Sequence, residues 1–129
     1  MESFELKCVF PVSASKLTEA WLSSEEHSAF TGGMAAIEPR VGSRFTAWDG
    51  YITGEILQID QGRILFNWRT TEFPEGAENS ILELLIRDVE NGCELSLIHS
   101  NIPDGQGSNY KSGWEDHYFE PMRAYFKAD

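Results

Sequence analysis

The sequence predicts an α+β domain: a curved antiparallel sheet of seven strands, two short helices after the first strand, and a long C-terminal helix packed across the sheet. Three observations carry this reading. Apolar and polar residues alternate with period two over most of the chain up to Ser100. The pairs Asp49-Gly50, Gln61-Gly62 and Asn91-Gly92 punctuate that stretch at hairpin spacing. The only long helical period comes last, between Gly113 and Phe126.

Each element follows from local chemistry. Phe4, Leu6, Cys8 and Phe10 alternate with Glu5, Lys7 and Val9, the pattern of a half-buried strand that Pro11 ends. Ser13 caps a helix with Leu17, Ala20 and Trp21 on its apolar side. Ser23 with Glu26 forms a capping box, so a second short helix runs from there to about Phe30 and stops at Thr31-Gly32-Gly33. Ala35 to Glu38 reads as a short strand before Pro39, and Arg44 to Asp49 as the next. Tyr51–Asp60, Arg63–Thr70, Ser80–Val89 and Cys93–Ser100 complete the seven, joined by tight turns that force antiparallel neighbours. On the final helix Trp114, Tyr118, Met122 and Tyr125 fall at i, i+4, i+8 and i+11, with Phe119 and Phe126 widening the same face. Pro121 cannot donate to the carbonyl of His117, so a bend is expected there.

Composition bounds the function. The 129 residues suit one domain spanning 1–129, and 41% hydrophobic content argues against disorder. A net charge of −11 repels nucleic acid and anionic membrane surfaces, so neither is an expected partner. No apolar run reaches the length of a membrane span and the N-terminus has no signal-peptide pattern, so the expectation is a cytoplasmic protein. Cys8 and Cys93 both fall in strands and have no metal spacing, which reads as two buried reduced thiols.

The candidate site residues are aromatic and histidine. His99 shares a strand face with Cys93, Leu95 and Leu97, and so points toward the final helix. There it could serve a ligand's polar group or act as a base, or it could simply be tied to a backbone carbonyl. His117 sits one residue before Tyr118 on the last helix, while His27, beside Glu25 and Glu26, reads as solvent-facing. Trp48, Phe66, Trp68, Trp114 and Tyr118 could line a pocket with polar tips, or they could fill the core. The arginines are scattered, and Glu115, Asp116 and Glu120 with Glu25 and Glu26 form either a solvated face or a dock for a basic partner. No His-Glu-x-x-His, Gly-x-Ser-x-Gly, Walker or Gly-x-Gly-x-x-Gly pattern occurs, so no metal site, cofactor site or catalytic residue is assigned.

Several phrases in order along the chain add a resemblance: Val41-Gly42-x-x-Phe45, Asp49-Gly50, Gly54-Glu55, Trp68-Arg69, Pro74-Glu75-Gly76, Ile102-Pro103 and Gly113-Trp114-x-x-x-Tyr118-Phe119. Together they resemble the helix-grip domains of the SRPBCC (START-like) superfamily. Within it the chain is most similar to the C-terminal domain of the activator of heat shock protein 90 ATPase, a two-domain protein. The resemblance implies a helix-grip fold with a cavity between sheet and helix. The expected function is then a non-catalytic binding protein for a small hydrophobic or amphipathic molecule. Phe66, Trp68, Leu82, Leu84, Trp114, Tyr118 and Met122 would form apolar walls and His99 a polar contact. The alternatives are a co-chaperone-like module that contacts a heat shock protein 90-type chaperone, and a cavity enzyme of the cyclase or hydrolase type.

Overall fold

A computed structural model describes residues 1–127. Its six strands are β1 (Glu2–Phe10), β2 (Arg44–Ala47), β3 (Ile52–Asp60), β4 (Arg63–Thr70), β5 (Ser80–Val89) and β6 (Gly92–Ile102). They form one antiparallel sheet in the order β1-β6-β5-β4-β3-β2. Helices α1 (Ala14–Trp21) and α2 (Ser24–Thr31) connect the two edge strands. The C-terminal helix is α3 (Gly107–Trp114), a π-helical turn over Glu115–Phe119, and α4 (Glu120–Phe126). Among the described residues no helix is long and apolar enough to cross a membrane.

The expected seventh strand, Ala35–Glu38, does not form, and the sheet has six strands. Only Ala36 bridges to Thr46. The residues on either side of Ala36 give their backbone groups to serines of α2 instead. Ser28 Oγ accepts from the Ala35 amide at 2.9 Å, and Ser24 Oγ accepts from the Ile37 amide at 2.8 Å and donates to its carbonyl at 3.0 Å. A strand needs those groups for a second neighbour, and here the helix has taken them. Both helices start where the capping serines place them, with Ser13 accepting from the Lys16 amide and Ser23 from the Glu26 amide.

The sheet curves because β3 carries a bulge. Ile56 pairs with Phe66 and Gln58 with Leu65, so Leu57 is an extra residue on the bending strand. Close approach to β4 also demands a glycine in β3: a Cβ on Gly54 would lie 2.0 Å from the Asn67 carbonyl oxygen. The Gln61-Gly62 turn forms as its residues require, with Gly62 at φ +77°. The β5–β6 turn is one residue earlier than expected. Val89 pairs with Gly92, so Glu90 and Asn91 make the turn, with Asn91 at φ +64°.

The core lies between the inner sheet face and the helices. Phe66, Leu82, Leu84, Leu97, Phe119 and Met122 are all fully buried there. Cys8 and Cys93 are buried free thiols. Two corrections concern the final helix. It begins at Gly107, six residues before the expected start, because the Glu2 carboxylate accepts from the amides of Gly105 (2.9 Å) and Gly107 (2.7 Å). The π turn, closed by the Glu120 amide on the Glu115 carbonyl, inserts one residue just before Pro121. That insertion rotates the apolar stripe, so Phe126 is buried while Tyr125 is 39% exposed and donates to Glu26 Oε1 at 2.9 Å.

Candidate functional site: an aromatic cleft beside the C-terminal helix

One cleft of about 290 Å³ opens between the β2–β3 loop and the C-terminal helix. The loop contributes Trp48 and Tyr51, and the strands contribute Ile52 and Trp68. Tyr110, Gly113 and Trp114 come from α3, and His117 and Tyr118 from the π turn. Apart from Ile52 and Gly113, every wall residue carries a ring.

The loop is held by unusual backbone geometry. Trp48, Asp49 and Gly50 all have positive φ, at 50°, 59° and 90°. Asp49 stabilises this turn by exchanging bonds with Met34: its amide donates to the Met34 carbonyl at 2.9 Å and its Oδ1 accepts from the Met34 amide at 3.0 Å. The Trp48 ring then lies against Gly33, where a Cβ would come within 2.7 Å of its Cε3. From the other side the His117 ring meets it edge-on at 5.7 Å. The indole Nε1 of Trp48 is buried without a hydrogen-bond partner among the described residues.

Two buried histidines hold the other walls. Trp114 Nε1 can only donate, and it does so to His99 Nδ1 at 3.1 Å. His99 must therefore carry its proton on Nε2, which donates to Ser80 Oγ at 2.8 Å; that hydroxyl in turn donates to the Trp68 carbonyl at 2.7 Å. One imidazole thus ties Trp114 on the helix to Trp68 on the sheet. Burial pushes its pKa down to about 3, so it is neutral at physiological pH. His27, expected at the surface, is also buried. It fills the space between α1 and the helix, where its Nδ1 donates to the Trp21 carbonyl at 2.9 Å and its Nε2 accepts from the Tyr118 hydroxyl at 2.8 Å. Burial lowers its pKa to about 4 against the opposing pull of the Trp21 carbonyl, and raises that of Tyr118. The two histidines are opposite tautomers with all four ring nitrogens occupied.

The remaining polar groups sit at one end of the cleft. The Tyr110 hydroxyl donates to Gln106 Oε1 at 2.6 Å and accepts from Thr70 Oγ1 at 2.7 Å. Tyr51 donates its phenolic proton to the Glu72 carboxylate. Burial, reinforced by that carboxylate, pushes the Tyr51 phenol up to about 12, and burial raises Tyr110 as well.

Of the residues expected to line a pocket, Trp48, Trp68, Trp114 and Tyr118 come together on the cleft wall. Phe66, Leu82, Leu84 and Met122 are buried in the core beneath it, and His99 stands behind Trp114 with no nitrogen left for a ligand. Tyr51, Ile52, Tyr110, Gly113 and His117 are wall residues outside the expected set. The aromatics flanking Asp49-Gly50 were the available signal for the loop, whereas Tyr110 lay in a stretch whose helix depends on Glu2.

The family model for "Activator of Hsp90 ATPase homolog 1-like protein" matches residues 11–127. The activator of 90 kDa heat shock protein ATPase homolog 1 from Mus musculus is 30% identical over 94% of the chain, and the Homo sapiens protein 29% identical over 94%. The chain spans 36% of the length of each. Among solved structures, an HSP90 activator from Plasmodium falciparum superposes with a TM-score of 0.87 at 24% identity, covering 97% of this chain and 96% of that one. The solution structure of the Aha1 dimer from Colwellia psychrerythraea gives 0.81 at 14% identity, with 98% of each chain covered. These two likenesses establish the helix-grip fold. With its family match running from Pro11 to Lys127, the chain belongs to the Activator of Hsp90 ATPase homolog 1-like family.

Proposed function

We propose that this domain is a co-chaperone-like binding module whose partner is an Hsp90-type ATPase. The observation that carries the reading is the family match over residues 11–127, with relatives named for activating that ATPase. The charge of −11 supports it, since an acidic domain is steered toward basic surface on a partner. On the C-terminal helix Glu115 is already paired with Arg123 at 2.7 Å, and Glu26 on α2 with Lys16 at 2.9 Å. Asp116 and Glu120 remain exposed on that helix as candidates for the contact. Titrating the domain into a purified Hsp90-type chaperone tests the reading through heat of binding and ATP turnover. Saturable binding that weakens with salt, with a change in turnover, supports it; neither at tens of micromolar protein refutes it.

A second reading rests on the cleft itself: it holds a small apolar or amphipathic molecule. An aromatic recess with few polar groups is the usual make-up of such a site, and its 290 Å³ sits at the small end of that class. Ligands that fit should raise the melting temperature by mass action. A broad aromatic and lipid panel that leaves the melting temperature unmoved would count against it.

A further inference from the structure

We propose that the aromatic cleft recognises a small quaternary ammonium compound. The inference rests on the second reading above and narrows it to one ligand class. The walls present three indoles (Trp48, Trp68, Trp114) and three phenol rings (Tyr51, Tyr110, Tyr118), and no Lys or Arg is among them. Ring faces carry negative quadrupole density that attracts a cation lacking hydrogen-bond donors.

Four of the six polar tips of those rings are spent elsewhere, Tyr51 on Glu72 among them. Trp114 gives its N–H to His99, Tyr118 its O–H to His27, and Tyr110 its O–H to Gln106. The unpartnered Trp48 Nε1 is shut off from solvent, and therefore from the cleft's open space. An anionic head group would find no Lys or Arg on the walls to pair with, whereas a methylated ammonium needs none. Charge points the same way. Tyr51 leans on the Glu72 carboxylate, and among the described residues no Lys, Arg or His forms an ion pair with Glu72. The rim thus carries an anion within one phenol of the cavity, on a protein of net charge −11. At about 290 Å³ the cleft fits a compact head group rather than a long acyl chain.

The test compares choline and benzyltrimethylammonium with the neutral isostere 3,3-dimethylbutan-1-ol, read by tryptophan fluorescence and calorimetry on the intact chain. The cations should bind at least about ten-fold tighter than the isostere. Glu72→Gln should weaken the cations and leave the isostere unchanged. Gly113→Phe, which pushes a ring into the cleft from a position with no foreign atom closer than 4.0 Å to its Cβ, should abolish all binding while circular dichroism stays native. Equal or tighter binding of the isostere overturns the ammonium assignment and leaves the cleft as an apolar site. No response from any probe up to about 10 mM overturns the assignment and the ligand reading together.

Discussion

Lowering the pH from 7.5 to 5.0 should destabilise this protein far more than its surface charges alone would. The cause is the buried pair His27 and His99, with folded-state pKa values near 4 and near 3 against about 6.5 in an unfolded chain. Both values are depressed, so the folded state refuses a proton that the unfolded state accepts. The stability they contribute is complete above pH 6.5 and is lost as pH falls toward the folded values. Each histidine costs about 1.4 kcal/mol per pH unit below 6.5, which comes to about 2 kcal/mol each and about 4 kcal/mol together at pH 5.0. For a domain of this length that corresponds to a melting point lower by roughly 10–16 °C. The acidic groups held low by partners, Glu2 by backbone amides and Glu26 and Glu115 by Lys16 and Arg123, lose their contributions only below about pH 4.5. The window between 6.5 and 5.0 therefore belongs to the histidines. Urea unfolding followed by tryptophan fluorescence, at half-unit pH steps, measures the slope. His99→Gln and His27→Gln should each reduce it from about 2.7 to about 1.4 kcal/mol per pH unit. A stability flat across this window, or a slope untouched by either substitution, would show that the buried histidines do not set the acid limit.

Two further substitutions follow from the same contacts. Gly113→Ala should raise stability by about 0.5–1 kcal/mol in thermal unfolding, because a glycine inside α3 costs helix propensity and its new Cβ meets only His117 Cδ2, at 4.0 Å, an ordinary van der Waals contact. Tyr118→Phe should cost about 1–3 kcal/mol in urea titration, since it strands the buried His27 Nε2 without its donor.

Much of this architecture could be read from residue order alone. Period-two alternation located the five longest strands, and serine caps placed α1 and α2. Most of the failures share one cause: a partner outside the element's own sequence pattern. Ala35–Glu38 has strand-like composition, yet Ser24 and Ser28 of α2 claim the backbone groups that flank Ala36. The start of α3 at Gly107 has poor local propensity and depends on Glu2, a residue more than a hundred positions away. His27 sits among polar and acidic neighbours, and only the packing of the C-terminal helix against α2 reveals that it meets Tyr118. The π turn shifted the apolar stripe by one residue, so periodicity identified the helix but misplaced Tyr125. In the cleft, the aromatics on regular elements were legible as a group, whereas Tyr51 and Tyr110 entered through a positive-φ loop and a long-range cap.

Two neutral histidines, as opposite tautomers, hold the walls of the aromatic cleft and have no nitrogen left for proton transfer. Long-range ¹H–¹⁵N correlation spectra of the imidazoles at pH 7 test it most directly. His99 should be protonated at Nε2, with a scalar coupling from the Trp114 indole proton to a bare Nδ1, and His27 should be protonated at Nδ1. A His99 protonated at Nδ1, or either ring charged or exchanging between forms at that pH, would contradict it.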